Sequence, residues 1–372
     1  MRILIDMHMV GENETGNETY IVNLVKGLKA LRSGDEFFLA TTNADLLGQT
    51  IPFDADCHAC PVSQNPFRRL LLDLPRAVRK HDIDLLHVTY AGPFSIPCPM
   101  VVTIHDMAYE RNAAWFSPRD RFVLATGIRM TAPRASAIIT ISECSRRDIV
   151  AFLHIAQERV HVTYPAAAES LQQDIPAPHI AGSILKRFGV RKPYILAVGN
   201  LQPRKNLSRL IQAYADLVNR SHVDHQLVIV GKANWKESEV FRTCRKNNMT
   251  DRVLFTGYVL EEELPAFYHE ADLFAYPSLF EGFGLPILEA MSCGTAVLTS
   301  DVSSMPEVAG AAAQLVDPGS IASIREGLEA VLLNLARRRD LENLGRERAR
   351  MFSWRRTAEE TLRVYRSVVR VT

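Results

Sequence analysis

Short apolar runs alternate with helical patterns in two successive series along this chain, and no other feature limits its fold as strongly. Such alternation is typical of parallel α/β layers, and 372 residues suit two domains with a core each. A stretch rich in proline and alanine, Tyr164–Ala168 and then Ile175–Pro178, separates the two series like a linker. We therefore predict an α/β protein with two parallel-sheet domains. The predicted strands are Ile3–Asp6, Phe37–Ala40, Asp84–Val88, Val101–His105 and Ala137–Ser142, then Tyr194–Val198, Leu227–Val230, Val253–Phe255, Leu273–Tyr276 and Ala296–Leu298.

The charges nearly cancel, with 43 basic and 42 acidic residues and a net charge of +1, so no overall field favours nucleic acid as a partner. Met1–Asp6 is predicted as a first strand, because its acid ends the apolar run too early for a signal-peptide core. No apolar run in the sequence approaches the roughly 20 residues that cross a bilayer. These observations predict a cytoplasmic protein.

Three short patterns have the residue spacing of metal sites but lack the other features of such a site. Cys57-His-Ala-Cys60 has no second cysteine pair and no clear helix after it, so we interpret the six cysteines as ordinary thiols. Asp54-Ala-Asp56 and Asp82-Ile-Asp84 have the spacing of an acid pair that could bind a metal ion. The first lies in a loop without phosphate-binding features and the second leads into a strand, so both are interpreted as structural. We predict no metal site.

The segment Ser278–Gly294 carries the most specific chemistry in the chain. It follows an apolar strand, passes through two glycines, and enters a helix that Pro286 can start and Gly294 can end. A helix start collects unpaired N–H groups and the positive end of the dipole, which makes an anion site. Glu281 and Glu289 flank this site and are suited to accept hydrogen bonds from hydroxyl groups. The segment therefore predicts a sugar–diphosphate–ribose ligand, with phosphate on the backbone amides and a sugar ring at each end.

Loops beyond the carboxyl ends of strands form the ligand sites of open α/β sheets. Asp106, the loop Gln202–Asn206 and the loop of Glu281 each follow a strand directly. Cleavage of a sugar–diphosphate bond leaves negative charge on the phosphate, and two adjacent cations at a helix start would stabilise it without a metal. Two facing domains would gather around one cleft the side chains of His105, Arg204, Lys205 and Glu281.

Structural interpretations of these side chains stay open beside the functional ones. Arg204 and Lys205 could be surface charges, His105 could be a hydrogen-bonded histidine at a strand end, and Glu289 could be a partner of the helix dipole. A packing role for Glu281 in its turn is harder to find.

The segment around Glu281 resembles the paired-glutamate signature of the retaining glycosyltransferases of family 4, which have the two-Rossmann-domain architecture called GT-B. Val101–Asp106 and Val198–Leu207 resemble the same family, and weaker matches are Ile138–Glu143, Phe255–Tyr258 and Ser303–Val308. These stretches follow the family order over nearly the whole chain. The sequence is most similar to the bacterial subgroup that adds mannose-type or rhamnose residues to surface polysaccharide.

The resemblance implies two Rossmann-like domains that face a cleft. Residues 1–172 would form an acceptor domain, joined by a returning helix at about 355–372, and residues 190–354 would form the nucleotide-sugar domain. The implied catalytic residues are His105, Asp106, Arg204, Lys205 and Glu281. The residues implied to bind the nucleotide sugar are Gly16, Asn206, Gly257, Tyr258, Val259, Gly282, Phe283, Gly284, Leu285 and Glu289.

One position departs from the family pattern. Family members often carry two glycines one residue apart after the first strand, whereas the segment Thr15–Tyr20 has Gly16 in the first place and Glu18 in the second. A carboxylate there would repel a nearby diphosphate. Glu18 could point away, the loop could handle the acceptor, or it could move on domain closure.

The segment Asn65–Lys80 mixes apolar and basic residues at roughly helical spacing. We favour a helix that packs its leucine face on the sheet. Contact with anionic lipid at the inner face of the membrane is the alternative, and lipid-linked acceptors would make it useful.

The resemblance implies transfer of a hexose, of mannose or deoxymannose type, from a nucleotide diphosphate sugar to a growing glycan or lipid-linked acceptor. GDP is the favoured nucleotide, retention of configuration is expected, and no metal or other cofactor is required. The alternative is another enzyme on the same scaffold, a nucleotide-sugar epimerase or a sugar phosphorylase. An epimerase needs further acid–base groups around the sugar, of which the sequence shows no spare set, and a phosphorylase needs an additional phosphate pocket.

Overall fold

The computed structural model describes residues 1–11, 15–168, 171, 177–221, 223–232 and 238–369 of the chain. The chain divides into two compact units. The first consists of Met1–Pro165 with Ser353–Thr372, and the second of Ala166–Phe352. Each unit is built on one parallel sheet, which confirms the predicted α/β class. The part of the predicted linker at Ile175–Pro176 lies outside the described residues.

The first unit contains a seven-stranded sheet in the order β3-β2-β1-β4-β5-β6-β7, and every pair in it is parallel. Strand β4 is buried at every residue, as expected where both faces of a parallel sheet are covered. The strands are β1 (Arg2–Asp6), β2 (Glu36–Thr41), β3 (Cys57–Pro61), β4 (Leu85–Thr89), β5 (Met100–Thr103), β6 (Ala137–Thr140) and β7 (Val160–Val162). The helices before the second unit are α1 (Thr15–Ala30), α2 (Ala44–Thr50), α3 (Pro66–Arg68), α4 (Leu74–Lys80), α5 (Ala108–Arg111), α6 (Pro118–Thr131) and α7 (Glu143–Leu153).

The second unit contains a six-stranded parallel sheet in the order β10-β9-β8-β11-β12-β13. The strand order reverses between β8 and β11, which makes the gap between them a switch point where ligands of such sheets bind. The strands are β8 (Tyr194–Val198), β9 (Gln226–Val230), β10 (Val253–Gly257), β11 (Leu273–Tyr276), β12 (Val297–Ser300) and β13 (Gln314–Val316). The helices are α8 (Pro178–Arg187), α9 (Leu207–Arg220), α10 (Ser238–Lys246), α11 (Leu264–His269), α12 (Leu285–Ser292), α13 (Met305–Ala309), α14 (Ile321–Leu332) and α15 (Leu335–Ala349).

The final helix, α16 (Trp354–Val369), packs against α1 in the first unit, so the predicted return of the last helix is confirmed. Gly27 permits the close approach, because a β-carbon there would lie 2.8 Å from the carbonyl oxygen of Trp354. Tyr365 is fully buried, and its hydroxyl lies 2.5 Å from Nδ1 of His87 on β4. The helix is thus tied to the sheet by a buried polar contact as well as by packing.

Residues of the three metal-like patterns lie in a strand or contact other parts of the chain. Cys57 and Cys60 lie three residues apart on β3, where successive side chains alternate, so they face opposite sides of the sheet. Oδ2 of Asp54 lies 3.0 Å from Nζ of Lys29. Oδ2 of Asp84 accepts a hydrogen bond of 2.7 Å from the backbone N–H of Arg2.

The segment Asn65–Lys80 is divided by a π-helical turn at Arg69–Asp73. In α4, Leu74, Ala77 and Val78 are buried as the favoured packing prediction requires. The segment also exposes three large apolar side chains, Phe67, Leu71 and Leu72. Packing on the sheet therefore explains the buried side chains of α4 but not the exposed side chains of Phe67, Leu71 and Leu72.

Among the described helices, none combines the length and the apolar character that a bilayer span requires.

Candidate active site

Two loops meet at the switch point of the second sheet. The loop after β8 forms a 3₁₀ turn at Pro203–Lys205, and the loop after β11 runs from Pro277 to Gly284. The backbone N–H of Leu279 donates to the carbonyl oxygen of Arg204 at 2.8 Å, which joins the two loops directly. The predicted cationic and acidic segments are therefore neighbours.

Asn206 holds the first loop in place. Its backbone has a φ of 60°, in the left-handed region that asparagine tolerates better than most residues. Its side-chain amide donates to the carbonyl oxygens of Pro277 at 2.9 Å and Pro318 at 2.8 Å, and its oxygen accepts from Arg209. The residue is buried and its side chain supports the loop, while its contact with the nucleotide sugar stays a prediction.

Glu281 is the centre of a buried charge cluster. Its Oε1 accepts a hydrogen bond of 2.8 Å from Nζ of Lys205, and its Oε2 is paired with the guanidinium of Arg204. Nζ of Lys205 also donates to the hydroxyl of Tyr276 at 2.5 Å and lies over that ring. The guanidinium of Arg204 donates to the carbonyl oxygen of Phe280 at 3.0 Å. The three predicted catalytic side chains of this unit are thus in direct contact.

The cluster holds two cations and one anion. Burial alone would raise the pKa of Glu281, but Arg204 and Lys205 outweigh it and lower the pKa to about 2. Burial lowers the pKa of Lys205 to about 8, although the attraction of Glu281 opposes this change. Within this cluster the cations outnumber the carboxylate by one, so the cluster is suited to an anionic ligand.

The glycine turn leads into α12 as the sequence predicts, with a start one residue earlier than Pro286. Gly284 has a φ of 100° and precedes the helix, and Gly294 follows it with a φ of 74°. Gly282, Phe283, Gly284 and Leu285 therefore form the approach to the N-terminus of α12. The orientation of this turn is fixed by the hydroxyls of Ser303 and Ser304, which donate to carbonyl oxygens of the turn, that of Glu281 among them.

Glu289 lies on α12 and is half-buried. Its Oε2 accepts a hydrogen bond of 2.8 Å from the hydroxyl of Tyr268, whose side chain is fully buried on α11. Burial raises the pKa of the Glu289 carboxyl, and the hydrogen bond from Tyr268 partly opposes the rise. One carboxylate oxygen of Glu289 is thus fixed by the protein.

The turn at the end of β10 contains Gly257, Tyr258 and Val259. Gly257 has a φ of 73°, and a β-carbon there would meet no atom within 4 Å. The carbonyl oxygen of Gly257 accepts from Gly231 at 2.9 Å, Val259 is buried, and Tyr258 is exposed with Nζ of Lys232 over its ring. The space beside Gly257 is compatible with the implied role of this turn in binding the nucleotide sugar.

His105 and Asp106 lie in the first unit, directly after β5. The ring of His105 is buried and makes edge-to-face contacts with Tyr20 at 4.7 Å and Tyr90 at 5.6 Å. Burial lowers the pKa of His105 to about 4, so the imidazole is neutral at pH 7. Its Nε2 is buried and has no hydrogen-bond partner among the described residues. Oδ1 of Asp106 accepts from the backbone N–H of Ala108 at the start of α5.

Gly16 lies in the first turn of α1 and not in an open loop. A β-carbon there would meet no atom within 4 Å. Oε1 of Glu18 accepts a hydrogen bond of 2.9 Å from the backbone N–H of Gly11. The carboxylate is therefore held by the preceding loop, in agreement with the alternative in which it points away.

Tyr276, Tyr268, Ser303 and Ser304 support this site but do not appear among the residues predicted from the sequence. Ser303 and Ser304 lie in the stretch Ser303–Val308, and its weak match to the family was the only sequence signal that pointed to them. The two tyrosines contact residues that are distant in sequence; Lys205 and Tyr276, for example, are 71 positions apart. Local sequence patterns therefore do not indicate these contacts. Across the described part of the chain, no three His, Cys, Asp or Glu side chains come together as a metal site.

Comparison with known families agrees with this fold and arrangement. The profile described as Glycosyltransferase Family 4 matches residues 15–168, and the profile described as Glycosyl transferases group 1 matches residues 186–348. Two parallel-sheet units with these matches define a glycosyltransferase of the GT-B class. The chain belongs to the group 1, family 4 glycosyltransferases.

Among its relatives, the chain is 31% identical over 283 residues to the O-antigen chain mannosyltransferase B of Escherichia coli, over 74% of each protein. It is 32% identical over 228 residues to the serotype-specific mannosyltransferase WbdA of Escherichia coli, over 60% of this chain and 28% of that longer protein. A similar solved structure is that of HepE from Anabaena in complex with UDP and glucose, with a TM-score of 0.77 and 18% identity over 99% of this chain and 100% of that one. At 18% identity, the similarity to HepE shows a shared fold and nothing more.

Proposed function

We propose that this glycosyltransferase moves a hexose of mannose or deoxymannose type from a nucleotide diphosphate sugar to a growing glycan or lipid-linked acceptor. The observation that carries the proposal is the cluster of Glu281, Arg204 and Lys205 beside the N-terminus of α12. It offers two side-chain cations and a helix dipole to a diphosphate, with a carboxylate beside them. Glu289 is assigned to the ribose hydroxyls and Glu281 to the donor sugar.

The same cluster supports a mechanism that needs no divalent ion. Negative charge grows on the diphosphate as the glycosidic bond breaks, and Arg204 and Lys205 are fixed where they can stabilise it. The carboxylate of Glu281 is ionised and suited to a sugar that becomes oxocarbenium-like. Retention of configuration is expected from the family resemblance.

The type of sugar rests on the relatives. Two of them are named as mannosyltransferases of Escherichia coli, which supports a mannose-type donor for this chain. The nucleotide is less constrained, because the solved structure of similar fold contains UDP and glucose. GDP stays the favoured nucleotide on the subgroup resemblance alone.

A panel of GDP-, UDP- and dTDP-sugars tests the donor. A ligand that binds the folded protein raises its thermal midpoint, so the true donor should give the largest shift. Transfer of labelled sugar to a mannoside acceptor should then proceed in EDTA and gain little from Mg²⁺ or Mn²⁺, and NMR of the product should show the donor's anomeric configuration. Complete loss in EDTA with recovery on a divalent ion would contradict the metal-independent mechanism. Release of an epimerised donor without acceptor, or formation of a sugar phosphate, would favour the rival activities.

A peripheral position at an anionic membrane is the proposed location. Phe67, Leu71 and Leu72 are exposed on the segment that precedes α4, and Arg68 lies on the same segment. Apolar side chains beside cations are typical of surfaces that rest on anionic lipid. Such a position would bring a lipid-linked acceptor near the enzyme.

A further inference from the structure

The hydroxyl of Tyr276 contacts the ammonium group of Lys205, and the function proposed above gives this hydroxyl no role. Tyr276 is the last residue of β11, and its side chain is buried. Nζ of Lys205 donates a hydrogen bond of 2.5 Å to the phenolic oxygen and lies 4.7 Å from the centroid of the ring. A neutral oxygen is therefore placed against a cation of the anion-binding cluster.

The side chain of Tyr276 has a fixed position at the end of its strand. Its ring is stacked on that of Phe274, with the centroids 5.6 Å apart and the planes inclined by 22°. The hydroxyl of Thr299 on β12 donates to the backbone carbonyl oxygen of Tyr276 at 3.0 Å. A β-carbon at Gly284, in the glycine turn, would lie 3.8 Å from Cε1 of the ring, so the turn also packs close to it. The phenolic oxygen is thus a rigid acceptor for Lys205.

The side chain of Lys205 reaches this acceptor across a glycine. Gly199 follows β8 with a φ of 142°, and a β-carbon there would lie 3.2 Å from Cε of Lys205, closer than ordinary van der Waals contact. The lysine side chain is only 12% exposed. It is therefore confined between the backbone at Gly199 and the hydroxyl of Tyr276.

Three charged groups act on the ammonium besides this hydroxyl. Glu281, at 2.8 Å, and Glu289 favour its charge, whereas Arg204 opposes it. Burial lowers the pKa of Lys205 to about 8 against the effect of the carboxylates. Burial and the carboxylate of Glu281 raise the pKa of Tyr276 well above its ordinary value, so the phenol stays neutral while the lysine titrates. Its oxygen stabilises the ammonium more than the free amine, because hydrogen bonds from charged donors are the stronger ones.

We propose that Tyr276 is a positioning residue of this site, whose hydroxyl holds the ammonium of Lys205 beside Glu281, keeps it charged and so sets the alkaline limit of nucleotide diphosphate binding. The ligand in this statement rests on the proposed function, whereas the effect on the lysine does not. The role differs from that of Glu281, because a neutral oxygen adds no charge to the cluster.

Tyr276→Phe tests the inference, since it removes the hydroxyl and keeps the ring. A hydrogen bond to a charged group corresponds to about 10-fold in an equilibrium constant, so the pKa of Lys205 should fall by about one pH unit. NMR titration of the free protein, labelled with ¹³C at Cε of lysine, measures this value without a ligand, and Lys205→Arg identifies the resonance. Calorimetry from pH 6 to 9.5 uses GDP, or the nucleotide diphosphate that wild type binds most tightly. The variant should bind it almost as tightly as wild type at pH 6 and about 10-fold more weakly at pH 9.

The double variant shows whether the hydroxyl acts through the lysine. Arginine stays charged at these pH values, so Tyr276→Phe added to Lys205→Arg should cause no deficit that grows with pH. The matched control is Tyr214→Phe, at a buried tyrosine of the same unit whose hydroxyl donates to the carbonyl oxygen of His225. It should leave the titration of Lys205 and the pH dependence of binding as in wild type.

A Lys205 titration in Tyr276→Phe at or above the wild-type pH would overturn the inference. A loss of nucleotide affinity that is equal at every pH would also overturn it, since the hydroxyl would then act through the fold. So would a deficit that still grows with pH in the Lys205→Arg background, because another group would then carry the effect. If wild type binds no nucleotide diphosphate yet Tyr276→Phe lowers the lysine titration, the proposed function fails and the positioning role stands.

Discussion

The ammonium group of Lys205 is subject to two opposing influences. Burial removes water from it and lowers its pKa to about 8, whereas the carboxylate of Glu281 at 2.8 Å favours its charge. The neighbouring cation Arg204 adds repulsion. A bound diphosphate would add negative charge to the same place, so its binding should raise the pKa of Lys205. Ligand binding and protonation of this lysine are therefore coupled.

Nucleotide diphosphate affinity should fall as the pH rises through about 8, because the free enzyme then loses the positive charge of Lys205. The loss should approach ~10-fold per pH unit above the pKa, the limit for one linked proton. Lys205→Arg should abolish this limb of the profile, since arginine stays charged throughout. Calorimetry from pH 6.5 to 9.5, in buffers of different ionisation enthalpy, measures both the affinity and the proton uptake. Lys232→Arg is the control, and a wild-type profile that stays flat across pH 8 would contradict this prediction.

The two glutamates should fail in different ways. Glu289 is assigned to ribose hydroxyls that do not change during the reaction, so Glu289→Gln should weaken donor and bare nucleotide diphosphate to a similar degree with little change in kcat. Glu281→Gln should lower kcat by on the order of 10²-fold, because its carboxylate faces a developing positive charge and keeps Arg204 and Lys205 in place. Steady-state kinetics with the donor, and binding of the bare nucleotide diphosphate, separate the two effects.

Tyr268→Phe serves as the companion to this pair of variants. It removes the hydrogen bond that fixes Glu289 and leaves the ring, so it should weaken nucleotide binding in the same direction as Glu289→Gln, with kcat little changed. Loss of turnover with intact binding in the Glu289 variant, together with loss of nucleotide binding in the Glu281 variant, would reverse the two assignments.

Sequence reasoning identified which residues of the second unit carry charge near the glycine turn, but not their pairing. Glu281 and Arg204 are 77 residues apart, and only the neighbouring positions of β8 and β11 bring them together. Asn206 illustrates the opposite limit. Its place in a matching motif suggests a ligand contact, which stays a prediction, and its left-handed backbone and three hydrogen bonds show a supporting role that a motif does not reveal.

At the level of elements, the central strands were predictable and most of the edge strands were not. β8 and β11 have the predicted bounds, because strands buried on both faces appear as continuous apolar runs. The strands without a prediction are β3, β7 and β13, each at the edge of its sheet. They are short or polar, and β3 (Cys57–Pro61) contains a histidine and a proline and has no continuous apolar run. Residues of edge strands are less buried, so their sequences show a weaker apolar pattern.

The π-helical turn and its flanks should determine membrane contact. Leu71 is 60% exposed and Phe67 is 75% exposed, and together they can enter the interface of a bilayer. Phe67→Ser with Leu71→Ser should reduce the affinity for vesicles that contain anionic lipid, measured by co-sedimentation, by about 100-fold or more. Full burial of each large apolar side chain contributes about 1.5–3 kcal/mol, and 1.4 kcal/mol corresponds to tenfold. Leu333→Ser is a matched control, since Leu333 is 58% exposed in the second unit. Equal vesicle binding by the double variant and wild type would exclude this surface as the contact.

The whole chain has a net charge of only +1, so attraction to an anionic surface must come from local patches and not from an overall field. The chain also ends in the unit where it begins, because α16 packs on α1 of the first unit. This return was expected from the family resemblance. The residues that fasten α16 became visible only in the structure, since His87 and Tyr365 are 278 residues apart.

Tyr365→Phe should loosen the final helix without changing the second unit. The variant removes the hydroxyl that contacts Nδ1 of His87 at 2.5 Å and leaves that buried nitrogen without its partner, while Nε2 keeps its contact with Thr103. An unsatisfied buried polar group costs about 1–3 kcal/mol of unfolding free energy. Hydrogen exchange should therefore speed up roughly 10-fold or more in peptides of α16 and α1, because 1.4 kcal/mol corresponds to a tenfold change in the opening equilibrium. Tyr258→Phe, at an exposed tyrosine, should leave exchange in these peptides unchanged. Faster exchange confined to the second unit, or none at all, would show that this buried contact does not fasten the helix.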